Sequence, residues 1–148
     1  MGNRAVIGFE KDKKRDKKSV GIYLHWNGGR DSVEGFLKVA KDYGVRGYDS
    51  SYCIARLTQI ICNYFGGTLS VGVDTLNKLD CDNYDNGLYW VDKDFNIVGR
   101  EYFEDGEEQN EYPIEEVIQD VKQHNDNFFN DGLRNVMKEN ADYGNINQ

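Results

Sequence analysis

Val20-Gly21-Ile22-Tyr23-Leu24-His25-Trp26-Asn27-Gly28-Gly29-Arg30-Asp31-Ser32-Val33-Glu34-Gly35-Phe36-Leu37 decides the fold of this chain. Its first seven residues are rich in β-branched and aromatic side chains and read as a strand. Asn27-Gly28-Gly29 breaks that strand, and a helix starts at once. Asp31 suits the N-cap, and Glu34 stands three residues on, as in a capping box. Val33, Phe36, Leu37, Ala40 and Tyr43 then recur at helical spacing until Gly44 supplies a stop. A strand that turns straight into a one-faced helix needs a sheet for that face to lie on.

Working outward, Ala5-Val6-Ile7-Gly8-Phe9 is a second strand upstream. The link from Glu10 to Ser19 carries Lys11, Lys13, Lys14, Arg15, Lys17 and Lys18. No aromatic interleaves these charges, which favours a solvated hairpin loop over a basic finger for phosphate. Downstream, a helix begins near Asp49-Ser50-Ser51 with the stripe Ile54, Leu57, Ile61, Tyr64 and Phe65, and Gly66-Gly67 ends it. Thr68 to Val73 alternates like a strand. Leu88-Tyr89-Trp90-Val91 and the run Ile97 to Phe103 flank a hairpin turn at Asp92 to Asn96. Pro113 opens a third helix with the stripe Ile114, Val117, Ile118 and Val121, and Glu115 and Glu116 lie near its positive end. Phe128, Phe129, Leu133 and Val136 can extend it. The order ββααβββα predicts an α+β fold: a mainly antiparallel sheet, two central helices and a C-terminal helix. Residues 1–140 form one domain and 141–148 a flexible tail. The helices take one face of the sheet. The other face needs a cover, for which self-association is the natural answer.

The composition narrows the function classes. The chain has 148 residues, a net charge of −8 and a hydrophobic fraction of 39%, with 10 Tyr and 7 Phe to supply core area. A net negative charge disfavours general binding to nucleic acid or to an anionic membrane. No stretch approaches the length of a membrane span, and no secretory leader is visible. Met1-Gly2 is a poor myristoylation start because Val6 replaces Ser or Thr. Cys53, Cys62 and Cys81 lack metal or disulfide spacing and read as core thiols of a reducing compartment, the cytoplasm.

No motif for catalysis appears. His25 and His124 lack a second His or Cys at ligand spacing, and no nucleophile elbow, Walker loop or dinucleotide fingerprint is present. Asp80-Cys81-Asp82-Asn83-Tyr84-Asp85-Asn86-Gly87 fails as a calcium loop, because Tyr84 and Lys93 fall where ligands are required. Its Asp and Asn side chains suit Asx turns, or can read hydroxyls and base edges. The corner Trp26-Asn27-Gly28-Gly29-Arg30 is the most informative segment. A helix N-terminus there offers free N–H groups beside a cation, Trp26 can stack on a base, and Arg30 can grip a phosphate. A plain strand–turn–helix joint explains the same residues equally well. Arg100 interrupts an apolar strand next to Gly99, which permits close approach; an outward-facing strand charge is the alternative. Arg56 reads as solvent-facing.

The opening Gly2-Asn3-Arg4-Ala5-Val6-Ile7, the block from Gly21 to Ser32 and Asp80-Cys81-Asp82-Asn83 together resemble a family of small phage and prophage proteins of Firmicutes. That likeness covers most of the chain to about residue 112. The chain also resembles the first of the Thoeris anti-defence families. The resemblance implies a non-enzymatic sponge in the infected host's cytoplasm that sequesters a cyclic ADP-ribose immune signal, or a cyclic oligonucleotide, without cleaving it. It implies a homo-oligomer with ligand pockets between protomers, phosphate-gripping roles for Arg30 and Arg100, and a polar contact from Asn83. The expected ligand-binding set is Trp26, Asn27, Gly28, Gly29, Arg30, Asn83 and Arg100, with no catalytic residue, cofactor or metal. A second reading is an acidic protein-binding inhibitor of a host nuclease or other defence effector, built on Glu104, Asp105, Glu107, Glu108, Glu111, Glu115 and Glu116. A third, an enzyme acting on a nucleotide, lacks the paired carboxylates or metal cluster it needs.

Overall fold

The computed structural model describes residues 2–104 and 106–131. The expected tail 141–148, the helix extension through Leu133 and Val136, and Asp105 lie outside the described residues. The elements are β1 (Ala5–Phe9), β2 (Val20–Leu24), α1 (Arg30–Asp42), α2 (Ser50–Phe65), β3 (Val71–Thr75), a short 3₁₀ turn (Leu76–Lys78), β4 (Leu88–Val91), β5 (Ile97–Glu101) and α3 (Ile114–Asp131). This is the α+β order read from the sequence. The five strands lie in the order β3-β2-β1-β4-β5. Every neighbouring pair is antiparallel except the central β1–β4 pair, where Val6 faces Leu88 and Ile7 faces Tyr89 in parallel. A parallel pair needs a long crossover. Here β2, both central helices and β3 supply it.

Period-two alternation sorts the strand residues onto two faces. Ala5, Ile7, Ile22, Leu24, Tyr89 and Val91 point to the helices, where they meet Val33, Phe36 and Leu37 of α1, Leu57, Ile60 and Ile61 of α2, and Val117 and Val121 of α3. A Cβ on Gly35 would strike Val117, so the glycine sets how closely α1 and α3 approach. Asp42 ties the same two helices through Lys122 at 2.9 Å. The other face gathers Val6, Leu88 and Trp90 under Leu76 and Cys81, with Tyr23 and Leu79 packed alongside. A Cβ on Gly21 would collide with Leu76, so that strand glycine opens the slot the leucine fills. The chain therefore covers much of its second face with its own segment after β3, and burial there does not depend on another copy.

Several boundaries differ from the sequence reading: β2 ends at Leu24, short of Trp26, β5 ends at Glu101, short of Phe103, and β3 runs on to Thr75. The N-cap of α1 is Gly29 and not Asp31, and Glu34 pairs with Arg30 at 2.7 Å instead of closing a capping box. Strand β3 starts at Val71, because Thr68 to Ser70 form a turn in which Val71 N–H donates to Thr68 O. The three cysteines are free and buried. Burial pushes the Cys53 thiol up to about 12, and it moves Cys62 and Cys81 upward too. Among the described residues, no helix is long and apolar enough to cross a membrane.

Candidate functional site

The sequence-derived residues gather at one end of the sheet, where β1 and β4 begin and β2 and β5 end. Gly28 N–H donates to Asn3 O at 2.8 Å, and Gly28 O accepts the Tyr89 hydroxyl at 2.7 Å. Asn86 Nδ2 donates to Asn3 Oδ1 at 2.7 Å, and Asn86 O accepts from Arg100 Nη2 at 2.8 Å. Asn83, 1% exposed, donates to Asp80 O and Gly87 O and accepts from the N–H groups of Asp85 and Gly87. One polar network thus links Gly28 and Arg100 through Asn3 and Asn86. Asn83 joins it by way of Asp85, whose carboxylate holds Arg4, and Arg4 O, which accepts from Asn86 Nδ2. Gly28, Asn83 and Arg100 are all engaged inside the fold.

The helix start at this corner is likewise occupied. Asp31 N–H donates to Asn110 Oδ1 at 2.9 Å, and Ser32 N–H donates to Asp31 Oδ1 at 2.7 Å. The other Asp31 oxygen accepts from Glu111 N–H and Tyr112 N–H at 2.7 and 3.0 Å. A buried carboxylate and an incoming strap at 109–112 stand where the sequence offered free N–H groups to a phosphate. Gly29 is required for that docking, since a Cβ there would collide with Gln109 O. A Cβ on Gly28 would come 2.6 Å from Asn3 O. The Gly-Gly pair therefore serves close packing.

The other members of the set are dispersed in role. Arg30 Nε binds Glu34 at the surface. Asn27 adopts a left-handed backbone (φ 55°), with its Nδ2 within reach of Ser32 Oγ and Tyr64 Oη. Trp26 is half-exposed, with its ring edge-to-face against His25 at 5.0 Å. Arg100 Nη1 binds Glu108 at 2.6 Å. Gly99 makes room not for a ligand but for Arg15, whose guanidinium passes over it and donates to Val98 O at 3.0 Å.

A cavity of about 870 Å³ lies at the opposite end of the sheet, where β1 ends and β2 begins. Sequence reading did not single it out. Its floor is apolar, from Phe9, Val20, Cys53 and Ile54, and its walls carry Tyr48, Ser50 and Ser51 at the entry to α2. Lys11, Lys13, Lys18 and Lys93 also line it. Among the described residues none of these four ammonium groups is in an ion pair. Of the four lining carboxylates, Glu10 is held by Arg15 at 3.2 Å, and Asp92 accepts the N–H groups of Asp94 and Asn96. Asp12 and Asp94 remain, so cations outnumber uncommitted carboxylates. A Cβ on Gly47 would collide with Lys93 O, so this glycine lets the loop before α2 press against the β4–β5 turn and shape the wall.

Volume, apolar floor and a few convergent polar groups are what small-molecule sites share. The available signal was the lysine-rich link from Glu10 to Ser19, which reads as solvated until Tyr48 and α2 are folded against it. Arg15 and Lys17 turn back onto the sheet, Lys17 to Glu101 at 3.2 Å, while Lys11, Lys13 and Lys18 face the cavity. Comparison with known proteins gives no matching family model, no significant match among curated proteins and none among solved structures.

Proposed function

We propose that this chain is a binding protein that captures a small, phosphate-bearing, nucleotide-type ligand in the cavity between the β1–β2 link and α2, and holds it unchanged. The observation that carries the reading is four lysines, without an ion pair among the described residues, over an apolar floor in a space of about 870 Å³. Ammonium groups recognise phosphate oxygens, the floor takes the ring systems, and the half-free Tyr48 side chain supplies a stacking face. A holder needs no more than this. Cys53, the thiol on the floor, stays protonated near neutral pH because burial raises its pKa to about 12, so it supports no thiolate chemistry.

The resemblance noted above narrows the ligand to a cyclic ADP-ribose-type signal or a small cyclic oligonucleotide. On that resemblance, the setting we propose is the cytoplasm of an infected bacterium, with the protein acting as a homo-oligomeric sponge. The lysine cavity moves the proposed contacts away from Arg30, Asn83 and Arg100, which are engaged elsewhere in the fold. Titration calorimetry with cyclic ADP-ribose isomers and cyclic di- and trinucleotides tests the proposal. Micromolar or tighter binding, with intact ligand recovered after heat denaturation, supports it. Absence of heat and of thermal shift with every one of them sinks it, and catalytic turnover replaces it with an enzyme.

A further inference from the structure

The tip of the β1–β2 link holds a charged residue on a backbone that favours glycine. Lys11 and Lys14 exchange two backbone hydrogen bonds, at 3.0 and 2.9 Å, which leaves Asp12-Lys13 as a two-residue loop. Both residues have positive φ, 54° and 64°. This is the geometry of a type I′ turn, whose second central position strongly favours Gly. Asp is tolerated at the first position because its short polar side chain supports left-handed backbone. Lysine has no such excuse, and its Cβ crowds the neighbouring carbonyl oxygen.

Strained backbone of this kind persists where the surrounding structure imposes it, and it concentrates at ligand clamps. Tyr84, Phe95 and Tyr102 share it without lining the cavity, so Lys13 is set apart by strain together with its place on the cavity wall. Lys13 lines the cavity and forms no ion pair or side-chain hydrogen bond with a described residue. Of the four cavity lysines, Lys13 combines this freedom with a left-handed backbone. We infer that Lys13 is a ligand-gripping and specificity-determining residue, whose ammonium closes over the cavity onto a phosphate oxygen and selects phosphorylated ligands. The inference rests on the cavity being the binding site.

The test replaces Lys13 by Gly and, separately, by Gln, and titrates each protein with cyclic ADP-ribose and with inorganic pyrophosphate. Lys13→Gly relieves the strain. Because glycine also gains freedom in the unfolded chain, the net rise in Tm is about 2–4 °C. Its affinity for both probes falls roughly tenfold or more, as loss of a charged contact requires. Lys13→Gln shows the same loss of affinity without the rise in Tm. A more stable protein that binds less well is the signature of a residue kept for its ligand. If both variants bind the probes as tightly as the wild type, the role of Lys13 is overturned while the cavity reading stands. If the wild type binds neither these probes nor the cyclic di- and trinucleotides, both fall. If Lys13→Gly does not raise Tm, the strain that singles out Lys13 is refuted.

Discussion

Arg100 stands directly opposite Tyr89 in the β4–β5 ladder, and its guanidinium carbon lies 3.9 Å from the centre of the Tyr89 ring. Phe103 closes the other side at 3.8 Å. The cation is thus held between two aromatic faces, while Glu108 and Asn86 O take two of its nitrogens. This arrangement stabilises the fold with the same group that the sequence offered as a ligand contact. Arg100→Ala removes a desolvated cation–π pair and leaves Glu108 and Asn86 O without their donor, at a cost of about 2–4 kcal/mol. Arg100→Lys keeps the charge, loses the planar stack and costs about half as much. Urea unfolding of both variants measures the difference. Equal stability of Arg100→Ala and wild type would falsify the clamp.

Asp31 fastens the strap. Its carboxylate accepts three backbone N–H groups, two of them from Glu111 and Tyr112, and it is 6% exposed. Asp31→Asn puts a donor where an acceptor is needed, and a loss of about 1–3 kcal/mol follows. Amide hydrogen exchange gives the more direct reading. Protection of Glu111 and Tyr112 drops in the variant, while that of Ile7 in the central strand is kept.

Alkali weakens the fold. Burial raises the thiol of Cys53 from an ordinary 9.0 to about 12 and moves Cys62, Cys81 and the Tyr89 phenol upward as well. Each group therefore ionises in the unfolded chain before it does so in the native one. The stability these groups contribute is fully present below about pH 9 and falls as pH rises toward 12, with Cys53 the largest single thiol contribution. Denaturant midpoints at pH 8, 9 and 10 check the sign. Cys53→Ala flattens the decline and adds a separate packing loss.

Tyr48 and Gly47 divide the cavity's needs. Tyr48 is 68% exposed, so Tyr48→Ala changes stability by less than about 0.5 kcal/mol while weakening ligand binding roughly tenfold through the lost stacking face. Gly47→Ala forces the loop off Lys93 O, lowering both Tm and affinity. Thermal shift measured with and without cyclic ADP-ribose separates the two. A Tyr48→Ala protein with unchanged affinity removes Tyr48 from the site.

Much of the architecture was legible because its signals are local. The strand residues from Val20 to Leu24, the stripe of α1, the Gly66-Gly67 end of α2 and the Asp92 to Asn96 turn each declare themselves within a few residues. What stayed hidden was long-range. Asn110 binds the start of α1 from 79 residues away, so Asp31 looked like a cap and the helix start looked vacant. The cavity unites residues 9–20, 47–54 and 92–94, which share no spacing. Even the lysine link could not be divided into sheet-bound and cavity-facing members until Gly99 had shown where Arg15 lies. Asn83 stood in an Asp- and Asn-rich cluster and took its role from the resemblance, and its partners turn out to be its own loop.

The parallel seam between β1 and β4 has a consequence for how the chain reaches this structure. Val6 must find Leu88 across more than eighty residues, whereas β2, β3 and the first two helices can organise through nearer contacts. Closing so long a loop is entropically unfavourable, and the seam raises the contact order of the fold, the quantity with which folding slows. During synthesis the middle strand β1 is made about eighty residues before its parallel neighbour β4. Its apolar run Ala5-Val6-Ile7 lacks that neighbour until residue 91 has emerged, and an unpaired apolar strand edge of this kind is open to aggregation.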